Sequence, residues 1–595
     1  MIVEFLFPGT DEKRQVEVDL TLEGLAKDIL GRSTDNHFSV EFNHDSSVKD
    51  LSYIKNVTDH YFPHIIDILN HNLGVNLKLR VWKVLVGHWY FSFAKALFFR
   101  VMIVEKLADD PNLLSAEIIR QPNRALSALS SSDITDQCMD YFWNEEIFAE
   151  ICLATNLIPK EKLSFSKSVL SETPNNHAFA EIKRSPLTRF IKKVTSFYVP
   201  FKWTRSRPIF YYTGMSHWEH VKLFLLSGGM PVWTKEQINF AADQDKLRRQ
   251  MLADSLKNKY LDSECFTSNF ELALQNLFFK CLPRNFLEAF QQNFLLSGSK
   301  VYPQKPKYIF MANGFWIDSL SFFVAKQISS GIPYLVGQHG ANFGVSKIEM
   351  NFPVEEETAD IFFTWGHKNS SCIKTVPCFN WKKPLLSKTL STSKKIVIIT
   401  RPPFPSKEHY SISAWYKGYI NDVVSLVNSL DDGLLENIIL RIHPGGAPSL
   451  EKIVWKNFLP NIEIDDANIF DPGIIGDGGI LVFTYLSTLF YEVLSSTQSM
   501  KIVGVWSDIK HDVKDEHINT FAALHSANLL FDSFTDAGNY ISENFSKPFD
   551  TSNTLRAEAV ANFNSMLNKS FGSSSPAVEL LAQLDSSLKI IDKET

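Results

Sequence analysis

The sequence predicts an α/β protein: two doubly wound, Rossmann-like domains facing a cleft, with an N-terminal mainly helical elaboration. Three observations carry this. From Arg207 to Trp506 strand-like apolar runs alternate with helix-like ones, the rhythm that builds parallel sheets with helices on both faces. The 595 residues exceed the roughly 250–300 at which one core stops growing, so more than one domain is required. From Asp59 to Leu107 apolar residues recur at i, i+3 and i+4 with few breakers beyond Pro63, Gly74 and Gly87, which is a helical pattern.

Composition narrows the class. Apolar residues make up 45% and charged ones 21%, a globular balance. The net charge of −6 lacks the basic excess of a general nucleic-acid binder, so no nucleic-acid partner is expected. Six cysteines form no CxxC pair and no Cys/His set at zinc spacing, so no metal, no other cofactor and no disulfide framework are expected, and a reducing cytoplasm is the simpler location. The start, MIVEFLFPGTDEKRQ, lacks a basic n-region and is interrupted by Glu4 and Pro8; it reads as a strand, not a secretory signal. The most hydrophobic window, Val81 to Val104, carries Lys83, His88, Lys95 and Arg100 too closely for a bilayer span of ~20 apolar residues and predicts a buried or interfacial helix.

In chain order, residues 1–200 form an N-terminal strand and helical region on the acceptor side. Short strands and one helix, TLEGLAKDIL, reach to about residue 55, followed by the long helices of DHYFPHIIDILNHNLGVNLKLRVWKVLVGHWYFSFAKALFFRVMIVEKL. His60, His64, Asn70, His71, Arg80, Trp82, His88 and Trp89 are embedded in them, either as a polar lining of a helical bundle or as part of a site. Residues 182–207 hold eight basic residues and no acidic one, interleaved with Phe190, Phe197, Tyr198, Phe201 and Trp203. That composition suits peripheral contact with an anionic membrane at about 1 kcal/mol per charge; a solvated basic linker fits it equally.

The first Rossmann-like domain, 201–385, has strands in RPIFYYTG, MPVWT, KYIFMANGF, IPYLVGQHG and ADIFFTWG, with helices HWEHVKLFLLSG and DSLSFFVAKQISSG and a helical stretch to about Phe294. The polar linker SKTLSTSKK leads to the second, 386–560. Its strands are KKIVIIT, IILR, ILVF and MKIVGVW; its helices are WYKGYINDVVSLVNSL, the stretch after Ser487, and one around INTFAALHSANLL. A C-terminal helix in 561–595 is placed to pack back across the junction. No 20–50-residue period repeats, which excludes a solenoid.

Ligands of open α/β sheets bind beyond the carboxyl ends of the strands. Ile438 to Leu440 run into Arg441, His443 and Pro444 and then two glycines; Ile480 to Phe483 run into Ser487 and Thr488, which are N-cap candidates for a helix. Read as neighbouring strand ends, they would grip one phosphate with an imidazole, two hydroxyls and the N–H groups of a helix N-terminus, and Pro444 would fix the turn. Glu492, one turn beyond Thr488, is placed to accept from a ribose hydroxyl. Arg401, at the same edge, can pair with a donor phosphate or carboxylate; Arg441 does the same or forms a surface pair.

In the first domain Gln338, His339 and Gly340 end a strand ahead of Asn342 and Gly344, and His339 can exchange a proton with a ligand in the cleft. Asn313 follows another strand. Asp318 opens the next helix, either as a helix-terminus residue or, if it faces the cleft, as base or nucleophile; Glu219 is the alternative carboxylate, and the sequence does not choose between them. Trp365, Gly366 and His367 end a further strand, as acceptor-side lining or as packing.

The HP pair at 443–444, with Ser487-Thr488 opening a helix 44 residues after His443, resembles the nucleotide half of GT-B glycosyltransferases that use CMP-activated acidic sugars, the bacterial sialyltransferases and β-Kdo transferases. YFPHIIDILNHNLGVNLKLRVWKVLVGHW is similar to the N-terminal signature of a family of surface-polysaccharide transferases catalogued from spirochaete O-antigen gene clusters, which carries a similar QHG and the later motifs. QHG also resembles a motif of polyol-phosphate transferases of wall teichoic acid type. These resemblances imply a GT-B-like, metal-independent glycosyltransferase. It would move Kdo or a nonulosonic acid from CMP to a glycan or lipid-linked glycan of O-antigen or capsule, with His443, Ser487 and Thr488 on the CMP phosphate. The β-Kdo transferases use an Asp nucleophile, which has no position-by-position counterpart here. A CDP-polyol phosphotransferase and a non-catalytic scaffold of a polysaccharide assembly complex are the alternatives. The expected place is the cytoplasm, with 182–207 against the inner membrane face.

Overall fold

A computed structural model describes residues 1–6, 13–17, 44–121, 124–167, 206–228, 230–231, 242–259, 268–298, 305–341, 343–347, 354–368, 374–382, 394–402, 412–443, 448–467, 470–496, 501–507, 513–548, 550, 552–570 and 575–594. The expected helix TLEGLAKDIL, most of 182–207 and most of the linker SKTLSTSKK lie outside the described residues, as do Pro444 and Asn342.

The N-terminal sheet joins β1 (Ile2–Leu6), β2 (Lys13–Glu17), β3 (Leu113–Arg120) and β4 (Leu163–Lys167) in the order β2-β1-β3-β4. The two long helices are His44–Leu73 and Leu79–Asp109. The second is buried along most of its length, Lys95 and Arg100 included, so the hydrophobic window is a core helix. Among the described residues no helix is long and apolar enough to cross a membrane.

Two six-stranded sheets follow. The first holds β5 (Ile209–Tyr211), β6 (Met230–Pro231), β7 (Ile309–Met311), β8 (Tyr334–Gly337), β9 (Ile361–Thr364) and β10 (Thr375–Pro377), in the order β10-β9-β8-β7-β5-β6 with every pair parallel. The second holds β11 (Ile396–Ile399), β12 (Ile438–Arg441), β13 (Glu463–Asp465), β14 (Ile480–Phe483), β15 (Lys501–Val505) and β16 (Leu530–Phe531), in the order β13-β12-β11-β14-β15-β16, also parallel. Counted within the sheet this is 3-2-1-4-5-6, the dinucleotide-binding order, with its switch point between β11 and β14. The chain order in the first sheet reverses between β5 and β7.

The second order corrects one expectation. β12 and β14 are not neighbours: β11 lies between them, in register with Arg441 on one side and Phe483 on the other through Ile399. At 4.7–4.9 Å per strand, the ends carrying His443 and Ser487 are separated by roughly 10 Å of sheet.

Alternating side chains send the two faces of each sheet into different cores. Ile209, Tyr211, Ile309, Met311 and Val336 pack with the N-terminal helices and with Asn269–Cys281. Phe210, Phe310, Leu335 and Phe363 face the other way, into a core shared with Val397, Ile399, Leu481 and Phe483 of the second sheet. The far face of the second sheet, Ile396, Ile398, Leu440 and Val482, packs under the helices Ile412–Asn428, Pro448–Phe458 and Phe534–Phe545. The C-terminal helices tie the two sheets together. Thr554–Leu567 lies on Thr488–Ser496, where Asn564 and Asn568 donate to Leu494 O and Tyr491 O at 3.2 and 2.7 Å. Pro576–Glu594 then crosses to His217–Ser227 of the first domain, burying Ala577, Leu580 and Leu584.

Candidate active site

The carboxyl ends of the two sheets meet at one place. β8 runs into Gln338-His339-Gly340, β14 into Ser487-Thr488, and a methyl group placed on Gly340 would lie 3.7 Å from Thr488 Oγ1. The turn after the first domain's fourth strand therefore sits against the N-terminus of a helix in the second domain.

Ser487 caps that helix: its Oγ accepts from Phe490 N at 3.1 Å, so the expected N-cap is present, with the Thr488 hydroxyl beside it. A helix N-terminus aimed at a gap between domains favours an anion. Gln338, expected to touch substrate, is instead a buried brace. Its Nε2 donates to Gly340 O at 2.7 Å and its Oε1 accepts from Trp365 N at 2.8 Å, which fixes the histidine turn and ties it to the end of β9. His339 is partly buried against Phe343, at 4.9 Å between ring centroids, with Nδ1 3.7 Å from Glu355 Oε2.

Neither candidate carboxylate is placed for chemistry in the cleft. Asp318 is only 1% exposed and accepts from Asn285 Nδ2 at 2.7 Å and from Ser131 N at 3.2 Å. Burial pushes it up to about 6, against the pull of those donors, and its work is to join the start of its helix to the N-terminal region. Glu219 accepts from Ala577 N at 3.0 Å and pairs with Lys222 at 2.7 Å, and these partners hold it below the usual carboxylate range despite desolvation. It anchors the C-terminal helix.

Arg441 does not extend to a free position at the strand end. It is buried and paired with Asp465 of β13 at 3.0 Å, so the alternative of a donor contact gives way to a strand-to-strand ion pair. Arg401 follows β11 between the ends of β12 and β14, its backbone N–H held by Tyr419 Oη at 2.6 Å, and its side chain is partly exposed. His443 is exposed at the end of β12. Asn313 is exposed beside Gly314, at the end of β7. Trp365 and His367 are buried, which settles them as packing; burial pushes His367 down to about 3, with His517 and Lys514 adding to the effect.

Three features had no sequence signal. Lys382 Nζ lies 3.9 Å from Glu492 Oε1, so the carboxylate expected on a ribose hydroxyl has a cation from the opposite domain beside it; burial raises the Glu492 carboxyl and lowers the Lys382 amine. Tyr212, at the end of β5, has φ +44° and is 48% exposed, with its ring against Gly314, where a Cβ would come within 2.7 Å. A non-glycine residue held left-handed at the sheet's switch point is the kind of strain that marks functional sites. Glu451, in the first turn after the HP loop, is fully buried and pushed up to about 9, a rise that the Thr400 hydroxyl and the His443 backbone N–H hold in check.

Two doubly wound domains, meeting with a histidine turn against a capped helix N-terminus, define a two-lobed α/β protein of GT-B-like architecture. The chain belongs to the LIC12162 family transferases, whose model matches residues 33–550. No curated protein matches it. Solved structures similar to it include an alpha,alpha-trehalose-phosphate synthase (UDP-forming) from Burkholderia vietnamiensis, at 11% identity over 65% of this chain and 99% of that one, with a TM-score of 0.35. Another is an S. aureus MnaA-UDP co-structure, at 11% identity over 64% of this chain and 97% of that one, with a TM-score of 0.34.

Proposed function

We propose that this transferase is a glycosyltransferase that moves an acidic keto-sugar of Kdo or nonulosonic type from a CMP-activated donor to a bacterial surface glycan or its lipid-linked precursor. The observation that supports the reading is the approach of the His339-Gly340 turn to Thr488, with a methyl on Gly340 lying 3.7 Å from Thr488 Oγ1, which allows an imidazole and a helix N-terminus to act on one ligand. A nucleotide phosphate fits the Ser487-Thr488 end at the switch point. The roughly 10 Å of sheet to His443 is a span that the rest of a nucleotide can bridge, with Arg401 between. The choice of CMP over other nucleotides rests on the likeness of the HP and Ser-Thr pair to CMP-sugar enzymes.

In the transfer, the acceptor hydroxyl gives its proton to His339, the anomeric carbon passes from the phosphate oxygen to the acceptor oxygen, and the electron pair of the broken C–O bond leaves with CMP. Negative charge growing on the phosphate meets the helix N-terminus and the hydroxyls of Ser487 and Thr488, electrostatic stabilisation that needs no metal.

The test is incubation with CMP-linked keto-sugars, CDP-polyols and UDP-sugars in the presence of glycan acceptors. Release of CMP with a phosphate-free product is expected, and Thr488→Val, which removes a hydroxyl from the proposed phosphate end, should lower it by ~10²-fold, the loss typical of one preorganised donor. Phosphate in the product would make the protein a polyol-phosphate transferase, and turnover with UDP-sugars alone would overturn the CMP assignment.

A further inference from the structure

The N-terminal helix pair has a sequence signature but no role so far. One face of Leu79–Asp109 supplies it. Arg80, Lys83, Gly87 and His88 each meet the short helix Val354–Thr358 or the residue just past it. Arg80 Nε donates to Thr358 O at 2.7 Å and its Nη1 pairs with Asp360 at 2.7 Å. Lys83 pairs with Glu357 at 2.5 Å, and Lys55 of the preceding helix shares that carboxylate at 3.3 Å. A Cβ on Gly87 would lie 2.9 Å from Val354 Cγ1, so the bare backbone there is what lets the two helices approach.

The clamp holds one carboxylate between two imidazoles. Glu355 is 2% exposed; its Oε1 lies 3.9 Å from His88 Nε2 and its Oε2 lies 3.7 Å from His339 Nδ1. Phe315 lies against both rings, at 5.2 Å from His88 and 6.0 Å from His339 between centroids, and Trp316 is 5.4 Å from His88. Other groups face this helix: Tyr334, whose hydroxyl is pushed up by burial and by the Glu355 charge against the pull of Arg80; Glu356, which accepts from Thr375 at 2.7 Å; and Glu357 with its two lysines. A buried charge is costly unless it is paired, and the two histidines are its counterparts.

We propose that Glu355 positions His339, that His88 steadies Glu355 from the other side, and that the N-terminal helices are therefore part of the catalytic apparatus. This rests on the reading of His339 as the proton-exchanging group. With Nδ1 turned to the carboxylate, Nε2 is the nitrogen that meets the acceptor. At 3.7 Å, just beyond hydrogen-bond length, Glu355 acts on His339 through its charge: it orients the ring and stabilises the imidazolium formed when the acceptor proton arrives, and closing to hydrogen-bond length on substrate binding would fix that tautomer, as a carboxylate does behind a catalytic histidine in hydrolase triads. His88 and Glu355 are positioning residues and touch no substrate.

The test uses the full chain carrying Cε1-labelled histidine, with the His339 resonance assigned by its loss in His339→Asn. In Glu355→Gln the His339 titration should move to lower pH, the acid limb of the kcat/KM profile should move with it, and transfer should fall by ~10²-fold. Glu355→Asp, which keeps the charge, should hold the titration near that of the parent, and unchanged thermal unfolding in both variants separates this from a folding defect. An unmoved titration with full turnover in Glu355→Gln, while His339→Asn abolishes transfer, overturns the relay and leaves the transferase reading standing. Full turnover in His339→Asn overturns the role of His339 itself.

Discussion

Gln338 uses one end of its amide on the turn it precedes, donating to Gly340 O, and the other on the end of β9, accepting from Trp365 N, so a buried residue holds the His339 turn in place. Gln338→Leu would fill the same space but leave Gly340 O and the Trp365 N–H without that amide. Each orphaned group costs about 1–3 kcal/mol. A drop of that order in urea-denaturation stability is expected, together with a loss of transfer that restoring the pH does not recover. Unchanged stability would mean the turn is held by its backbone alone. Gly340 makes the complementary prediction: Gly340→Ala places a methyl at ordinary contact distance, 3.7 Å from Thr488 Oγ1, and should be tolerated, whereas Gly340→Ile crowds the gap and should raise the donor KM at least tenfold without unfolding the protein. These residues were legible in the sequence because a His-Gly pair after an apolar run and a Ser-Thr pair before a helical one are local signals. Asp318 and Glu219 were legible as acids near strand ends but not as structural anchors. Their partners, Ser131, Asn285 and Ala577, are 187, 33 and 358 residues away along the chain, and no local pattern reports such pairs.

Among the elements, the helix Pro448–Phe458 carries the clearest pH signature through Glu451. A carboxyl raised from 4.5 to about 9 holds its proton in the folded state at pH values where the unfolded chain has lost it. Its contribution to stability is thus complete below the unfolded value and is lost progressively as pH rises through the folded one, at up to about 1.4 kcal/mol per pH unit. Glu451→Gln removes the titration. The denaturation midpoint of the variant should gain on that of the parent between pH 5 and pH 8, and parallel profiles would show that Glu451 ionises freely. The C-terminal helix makes a second prediction. Leu584 is fully buried between that helix and the first domain, so Leu584→Ala should cost about 2–5 kcal/mol in denaturant titration. Most elements of the two sheets follow from apolar runs and helical spacing, because strands buried on both faces are continuous runs. β10, β13 and β16 escaped because edge strands are short and, in Glu463–Asp465, polar; the order β12-β11-β14 escaped because pairing is a long-range property that periodicity does not encode.

At the scale of the whole molecule, the two domains share one apolar core and a backbone seam, so binding in the gap acts on both. Lys514 N donates to Val345 O at 2.8 Å, Ser346 bridges Val513, and the His517 ring meets Gly344 O at 3.1 Å. Gly344 sits at φ +67° with the buried His367 ring directly over its Cα, so a side chain there would be both strained and obstructed. A nucleotide that bridges the Ser487-Thr488 end and the His339 turn should stabilise the chain as one unit by RT ln(1 + [L]/Kd), about 2.7 kcal/mol at a hundredfold excess over Kd, and so raise its unfolding temperature. CMP is expected to do this better than UDP, and the reverse order would reassign the donor. In Gly344→Val the seam is strained while each sheet keeps the core on its outer face. Calorimetry should then resolve two transitions, with CMP raising the one that belongs to the second domain, and the loss of the single cooperative transition is the mark of a ligand site that depends on the domains being joined.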